Sequence, residues 1–192
     1  NAYGTCKRLS EYAFLEGNHR GATTGSKFAS VRGGNVFAST GSVARKWQVA
    51  RTEGWPLIVH GGDSTRFHLL LDDWLAFGRR ALAEMHGGEV FIPKAPAWRL
   101  ADLAAAFNSP LPFNEQPARP GDKPGEMLYC AEESYRVKDC GWAFVLEPPE
   151  DLRAVWNYQP WDGVPVAPGV AYSSDAAPRL SVDELRRLVL VL

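Results

Sequence analysis

The strongest constraint on the fold is a regular alternation of short apolar runs with longer amphipathic runs. The apolar runs "PLIVHGG" (56–62), "EVFIPK" (89–94) and "WAFVLEP" (142–148) have the length and composition of buried strands. Between two of them, "DDWLAFGRRALAEMHGG" (72–88) begins with Asp, carries apolar residues on one side and ends in two glycines, as a helix does. Strands separated by helices predict an α/β fold with at least some parallel pairing.

Further elements continue this pattern towards both ends of the chain. Helices are predicted at 2–17, 41–54, 98–107 and 180–192, and a strand is predicted at 27–34. Gly17 is expected to end the first helix, and Ser181 with Glu184 has the spacing of a capping box at the start of the last one. The stretches 110–126 and 146–169 are rich in Pro and Gly and are predicted to be loops.

Composition narrows the function classes. The net charge of -1 gives no argument for a nucleic-acid partner or a membrane surface, and no apolar run approaches the ~20 residues that span a bilayer, so a cytoplasmic location is expected. Cys6, Cys130 and Cys140 form no CxxC pair, which indicates reduced thiols and neither a disulfide framework nor a metal site. The sequence contains no GxGxxG or P-loop pattern, so this chain has no phosphate loop of its own for a dinucleotide.

The first residues carry a candidate catalytic pair. Tyr3 and Lys7 lie four residues apart, so on a helix their side chains project from one face. An ammonium beside a phenol lowers the pKa of the phenol, and the phenolate can accept a proton from an alcohol while hydride leaves the same carbon. The non-catalytic alternative is a helix face with an aromatic residue and a solvated lysine, and the spacing by itself favours that alternative.

Several segments, taken in their order along the chain, favour the catalytic interpretation of Tyr3 and Lys7. "NAYGTCKRLSEYAF", "SKFASVRGGNVFASTGSV", "GWPLIVHGGDSTRFHLLLDDWLAF", "GGEVFIPKAPAWRLADLAAAF", "KPGEMLY" and "YSSDAAPRLSVDELRRLV" follow one another through the chain. Together they resemble extended short-chain dehydrogenase/reductases that act on nucleotide sugars. More narrowly, they resemble the UDP-N-acetylglucosamine 4,6-dehydratase group of polysaccharide-biosynthesis proteins, from the active-site Tyr onwards. The resemblance covers essentially the whole chain.

This resemblance implies an α/β fold that is the C-terminal portion of a Rossmann-type enzyme, with its last parallel strands and helices, plus a small α/β substrate-binding region. Residues 1–55 would hold the active-site helix and the end of the Rossmann-type sheet. Residues 56–192 would hold the substrate-binding region, interleaved with the last sheet strand. The cofactor-binding half would be a missing N-terminal segment or a separate chain, and a homo-oligomer is expected.

The resemblance also implies roles for individual residues. Tyr3 and Lys7 would be the catalytic pair and would contact the nicotinamide ribose of NADP or NAD, with Val36 along the nicotinamide. The implied substrate-binding residues are Asn35, Thr40, Gly41, Ser42, Val43, Arg66, Lys123 and Glu126. The turn that ends at Val43 would bind diphosphate at a helix N-terminus.

Some of these assignments stay open. Arg66 has a structural salt bridge as its alternative role. Lys123 and Glu126 correspond to an Arg and a Glu that grip the nucleotide in the family, whereas a shifted register selects Arg119 and Asp122. Lys lacks the bidentate fork of Arg and would bind the nucleotide as a point charge.

The implied reaction is the conversion of UDP-GlcNAc or a similar UDP-sugar by a 4,6-dehydratase. Oxidation at C4 with Tyr3 as base would acidify the C5 proton, water would be eliminated, and hydride would return at C6. A nucleotide-sugar epimerase and a non-catalytic remnant with a binding or assembly role are the alternatives. His60 and His68 are predicted to be core or loop histidines.

Overall fold

The computed structural model describes residues 2–107 and 113–192, except for the side chain of Tyr3. Contacts between Cα atoms divide the chain into two compact units. The first unit comprises residues 1–33, 72–94 and 128–171, and the second comprises 34–71, 95–127 and 172–192. The predicted division after residue 55 therefore falls inside the second unit. Each unit is assembled from three separate segments, a property that periodicity along the chain does not reveal.

Helices are interspersed with strands along the chain, as predicted, although strands also follow one another directly. The helices are α1 (Ala2–Thr24), α2 (Val43–Thr52), α3 (Leu71–Glu84), α4 (Leu100–Ala106), α5 (Glu150–Val155) and α6 (Val182–Val189), with a 3₁₀ turn at Glu133–Arg136. The strands are β1 (Ser30–Val31), β2 (Ile58–His60), β3 (Thr65–Phe67), β4 (Val90–Pro93), β5 (Ala97–Arg99), β6 (Asn114–Gln116), β7 (Met127–Tyr129), β8 (Val137–Asp139), β9 (Ala143–Leu146), β10 (Val164–Pro165) and β11 (Tyr172–Ser173).

The first unit is built on a mixed sheet with the strand order β1-β4-β9-β8-β10. β1 runs parallel to β4, while β9 is antiparallel to both β4 and β8. All four residues of β4 are buried, and Phe91 packs with Val145, Ala143 and Ala81 to form a core. The predicted mixture of helices with partly parallel strands is thereby confirmed.

Helix α1 differs from the prediction, because it continues past Gly17 and ends just before Gly25. A Cβ atom on Gly17 would lie 3.0 Å from the ring of Phe28, and one on Gly21 would lie 2.1 Å from the carbonyl oxygen of Ser26. These two glycines therefore serve close packing of the returning chain, not termination. Gly25 has a φ of 75°, the left-handed conformation that commonly follows a helix.

An ionic network joins α1 to the rest of the first unit. Arg32 Nη2 lies 2.6 Å from Glu11 Oε1, and Arg32 Nη1 lies 2.9 Å from Glu133 Oε2. Arg8 Nη2 lies 2.6 Å from Glu133 Oε1, and the backbone N–H of Cys130 donates to Glu133 Oε2 at 3.0 Å. Burial alone raises the pKa of Glu133, but the hydrogen bond and charge of Arg32 outweigh it and lower this pKa to about 2.

The second unit contains two small strand pairs, β2 with β6 in parallel and β3 with β5 antiparallel. Its core holds Trp47, Leu57, Val59, Trp98, Leu103, Phe107 and Leu185. α6 begins with the predicted capping box, in which Ser181 and Glu184 exchange side-chain and backbone hydrogen bonds. The stretch 110–126, predicted as loop, contains the short strand β6, and α5 lies within the other predicted loop.

Three further observations concern membrane-spanning helices, cysteine pairing and metal binding. In the part of the chain that the structure describes, no helix combines the length and apolar character that crossing a membrane requires. Cys6, Cys130 and Cys140 are free thiols. Within residues 2–107 and 113–192, no group of three or more His, Cys, Asp and Glu side chains is placed to hold a metal ion.

Candidate functional site

A cavity of about 930 Å³ lies in the second unit and gathers most of the predicted substrate-binding residues. The predicted residues that line it are Asn35, Val36, Thr40, Gly41, Ser42, Val43 and Arg66. Lys123 and Glu126 are not part of its wall, whereas Arg119 and Asp122 are. Of the two registers that the sequence left open, the shifted one thus lies at the cavity.

The start of α2 forms one side of this cavity. Ser42 is the N-cap, and its side chain accepts a hydrogen bond from the backbone N–H of Arg45. Gly41 just before it has a φ of 79°, which a residue with a side chain rarely adopts. Val43 and Ala44, in the first turn, also line the cavity. Since the first N–H groups of a helix have no partner within it, this wall offers donors and a positive dipole end to an anion.

Cationic side chains reinforce this preference for anions. Lys46, Arg66 and Arg119 line the cavity, and Asp122 is the acidic residue among the described side chains around it. Arg119 Nε donates to Asp122 Oδ2 at 3.0 Å, and this hydrogen bond holds the pKa of the Asp122 carboxyl below its usual range. The excess of positive charge suits a phosphate or diphosphate.

Aromatic residues at the cavity were not predicted to be site residues. Trp55 lines it with 58% of its surface exposed, and His60 lines it from the end of β2. Ile58 also lines the cavity, and the period-two alternation of a strand places Ile58 and His60 on the same face. That alternation is the signal that could have identified His60. His68 is buried against the ring of Phe37, as expected for a core histidine.

Arg66 lies both at the cavity and beside a carboxylate. It lines the cavity, and its Nε atom lies 4.0 Å from Glu126 Oε1, while its Nη1 donates to the Thr65 carbonyl at 2.6 Å. Glu126 is also tied to the backbone, because its Oε2 accepts the N–H of Phe67 at 3.3 Å. Lys123 is exposed outside the cavity wall.

The predicted catalytic pair, Tyr3 and Lys7, lies on α1 in the first unit. Lys7 is exposed on this helix, and the side chain of Tyr3 lies outside the described residues. The helical backbone over Ala2–Thr24 gives the two positions the spacing that places them on one face, whereas their side-chain geometry stays a prediction. Lys7 could donate hydrogen bonds to a bound ligand from this exposed position.

The chain is similar to curated sugar-nucleotide enzymes. It is 30% identical over 184 residues to the inverting UDP-N-acetylglucosamine 4,6-dehydratase of Campylobacter jejuni, covering 93% of this chain and 55% of the relative. It is 30% identical over 199 residues to the UDP-glucose 4-epimerase of Rickettsia bellii, covering 100% of this chain and 58% of the relative. The chain therefore spans a little more than half the length of these relatives.

Two solved structures are similar to this chain in fold. The X-ray structure of Pen from Bacillus thuringiensis has a TM-score of 0.85 at 27% identity, over 100% of this chain and 57% of that one. DesIV, a dTDP-glucose 4,6-dehydratase from Streptomyces venezuelae solved with NAD bound, has a TM-score of 0.51 at 14% identity, over 92% of this chain and 46% of that one, which shows similarity of fold.

A comparison with protein families extends over most of the sequence. The family described as polysaccharide biosynthesis protein matches residues 1–148, more than half of the chain. This match agrees with the ordered segments from "NAYGTCKRLSEYAF" to "KPGEMLY". The chain belongs to the polysaccharide biosynthesis protein family, whose model spans both α1 and the cavity-lining segments.

Proposed function

We propose that this chain is the C-terminal part of an NAD(P)-dependent sugar-nucleotide 4,6-dehydratase that acts on UDP-GlcNAc or a similar UDP-sugar. The observation that carries the proposal is the cavity, where Asn35, Arg66 and the N-terminus of α2 come together with further cations. Its volume of about 930 Å³ lies in the range of pockets that enclose a small ligand. The relationship to UDP-N-acetylglucosamine 4,6-dehydratases supports the choice of substrate class.

Each part of the cavity has a proposed task. The N–H groups at the start of α2 and the guanidinium of Arg66 bind the diphosphate, since charge-assisted hydrogen bonds to phosphate are strong and directional. Arg119 and Asp122 bind the nucleotide in place of Lys123 and Glu126. Asn35 contacts the sugar nucleotide.

The helix α1 supplies the acid–base chemistry in this proposal. The Lys7 ammonium stabilises the Tyr3 phenolate, which accepts the proton of the sugar C4 hydroxyl. NAD(P), when bound, supplies the hydride acceptor and donor. A ketone at C4 acidifies the neighbouring C5–H, which is the condition for loss of water across C5–C6. The residues for that elimination belong to the cofactor-binding half, in a longer polypeptide or in a partner chain.

Turnover of UDP-GlcNAc by the native protein that contains this chain tests the proposal. With NADP or NAD present, we expect a product that has lost one water and carries a 4-keto group, detected by mass spectrometry. Lys7→Met is expected to reduce turnover by at least ~100-fold, in line with the loss of a group that supports proton transfer, while UDP binding persists. Lys27→Met, at another exposed lysine of the first unit, is the matched control and should leave turnover unchanged. Full turnover by Lys7→Met, or no water loss with either cofactor, would refute the proposal.

An epimerase is the second candidate, favoured by the similarity to UDP-glucose 4-epimerases. The same Tyr and Lys would serve it, because oxidation at C4 also begins epimerisation. In the same assay an epimerase would give a C4 epimer of unchanged mass. Binding of UDP-sugar without either product would indicate the non-catalytic remnant.

A further inference from the structure

Arg66 is held in a defined orientation on the cavity wall. It lies on β3 between Thr65 and Phe67, both buried, so the strand alternation turns Arg66 away from the core that they enter. Its side chain is 20% exposed. One end of the guanidinium donates to the Thr65 carbonyl at 2.6 Å, and Nε faces the carboxylate of Glu126.

Glu126 is fixed by bonds that do not involve the cavity. Its Oε2 accepts the N–H of Phe67, its backbone N–H donates to Ser174 Oγ at 2.9 Å, and its carbonyl accepts the N–H of Ser174 at 2.8 Å. Ser174 Oγ in turn lies 2.7 Å from Thr65 Oγ1, in a buried hydrogen bond. The carboxylate is therefore a rigid part of the second unit, 22% exposed, and it does not line the cavity.

The chain leaves room for this carboxylate at Gly34. A Cβ atom at that position would lie 3.2 Å from Glu126 Oε2 and 2.7 Å from the Cβ of Phe67. The next residue, Asn35, lines the cavity. The glycine thus lets the segment that enters the site pass directly over the carboxylate that faces Arg66.

The positive charge of Arg66 favours the ionised form of Glu126, which lies beside it, and of Asp122, which lines the cavity and is paired with Arg119. Burial raises the pKa of Glu126, against the N–H of Phe67 and the positive charges of Arg66 and Lys123. Asp122 is itself held by Arg119, so removing the charge of Glu126 would leave the Nε side of Arg66 without the carboxylate that faces it, and the guanidinium could turn from the orientation that meets an incoming anion.

From this geometry we infer that Glu126 is a positioning residue: it orients Arg66 towards the diphosphate of the ligand and does not touch the ligand itself. The inference rests on the proposed function, because the cavity must bind a nucleoside diphosphate. It differs from the role implied by the family resemblance, in which this glutamate grips the nucleotide. It also predicts that the effect of Glu126 depends on the presence of phosphate in the ligand.

The test compares UDP with uridine as ligands of the native protein, by calorimetry or competition. Glu126→Gln keeps an oxygen for the N–H of Phe67 but removes the charge, and we expect UDP affinity to fall about tenfold while uridine affinity is unchanged. In an Arg66→Ala background, Glu126→Gln should have no further effect on UDP. Glu53→Gln, an exposed glutamate of the same unit, is the matched control. Equal losses for UDP and uridine would show that Glu126 contacts the nucleoside and would overturn the inference.

A second measurement does not depend on nucleotide binding. The Nε–Hε signal of Arg66 in the NMR spectrum, assigned by its loss in Arg66→Lys, should shift in Glu126→Gln and stay in place in Glu53→Gln. An unchanged signal in Glu126→Gln overturns the inference even if UDP binds. A shifted signal in a protein that binds no UDP would support the pairing of the two side chains and refute the diphosphate assignment and the proposed function.

Discussion

Replacing Glu133 by Gln tests whether the ionic network of the first unit stabilises the fold. The side chain of Glu133 is 6% exposed and contacts two guanidinium groups, those of Arg8 and Arg32. Gln has nearly the same shape but no charge, so Glu11 would remain as the carboxylate that faces Arg32. Removing one member of a buried ionic network leaves an uncompensated charge, which is strongly destabilising.

The magnitude follows from the pKa of Glu133. A fall from the ordinary value of 4.5 to about 2 corresponds to about 3 kcal/mol of stabilisation at neutral pH, at 1.36 kcal/mol per pKa unit. Loss of a partner from a buried ion pair costs about 3–5 kcal/mol in other proteins, which is of the same order. Because the folded-state pKa is lowered, this contribution is complete above pH 4.5 and disappears as the pH falls towards about 2.

Urea unfolding followed by circular dichroism measures the effect. At pH 7 the free energy of unfolding of Glu133→Gln should be about 3 kcal/mol lower than that of the wild type. The difference between the two proteins should shrink steadily below pH 4.5, since the wild type then becomes protonated at this position. Glu132→Gln changes the neighbouring, exposed carboxylate and should alter the unfolding free energy by less than about 0.5 kcal/mol.

Two results would contradict this reasoning. One is a Glu133→Gln protein as stable as the wild type at pH 7, which would mean that the network contributes no net stability. The other is a difference that stays constant between pH 5 and pH 2.5, which would mean that packing, and not the charge of Glu133, is responsible.

Two glycines and one helix terminus give further predictions. Gly21→Ala should lower the free energy of unfolding by about 2–3 kcal/mol, because the new Cβ would lie 2.1 Å from the Ser26 carbonyl oxygen. The new Cβ in Gly78→Ala, in α3, meets no atom within 4 Å, so this variant should raise the free energy of unfolding by about 0.5–1 kcal/mol. Equal effects of the two variants in urea unfolding would contradict the packing argument. Ser181→Ala should lower the same free energy by about 1 kcal/mol, because the N-cap bond to Glu184 is lost, and hydrogen exchange in the first turn of α6 should accelerate; unchanged exchange there would refute it.

The elements that the sequence predicted best have strong local signals. α3 begins within one residue of its predicted start. The prediction succeeded there because acidic residues, a one-sided apolar pattern and terminal glycines all indicate the same helix. The predicted end of α1 at Gly17 was wrong, because a glycine inside a helix and a glycine after a helix look alike in sequence. Only the returning segment at Ser26 and Phe28 distinguishes them. β6 was missed because the sequence Asn114–Gln116 is polar and owes its strand conformation to pairing with β2.

The cavity was predictable to a similar extent. Residues that follow one another, from Asn35 to Val43, were expected at one site, and the structure places them along the cavity, since local sequence determines the turn and the start of α2. The sequence did not decide whether Lys123 with Glu126 or Arg119 with Asp122 binds the nucleotide. The path of the proline-rich loop that carries them depends on tertiary contacts. His60 and Trp55 were not assigned to the site, since their orientation follows from strand and loop geometry that composition does not show.

The interleaving of the two units has a consequence for how the protein reaches its native state. Any single cut between residues 34 and 171 would divide both units, so neither unit can be produced as one continuous fragment. During synthesis, the first unit cannot be completed before residue 171 emerges from the ribosome, and the second also needs residues 172–192. Contacts between distant segments slow folding, and the early segments would meanwhile expose apolar surface. We therefore expect nascent chains that end before residue 171 to depend on chaperones.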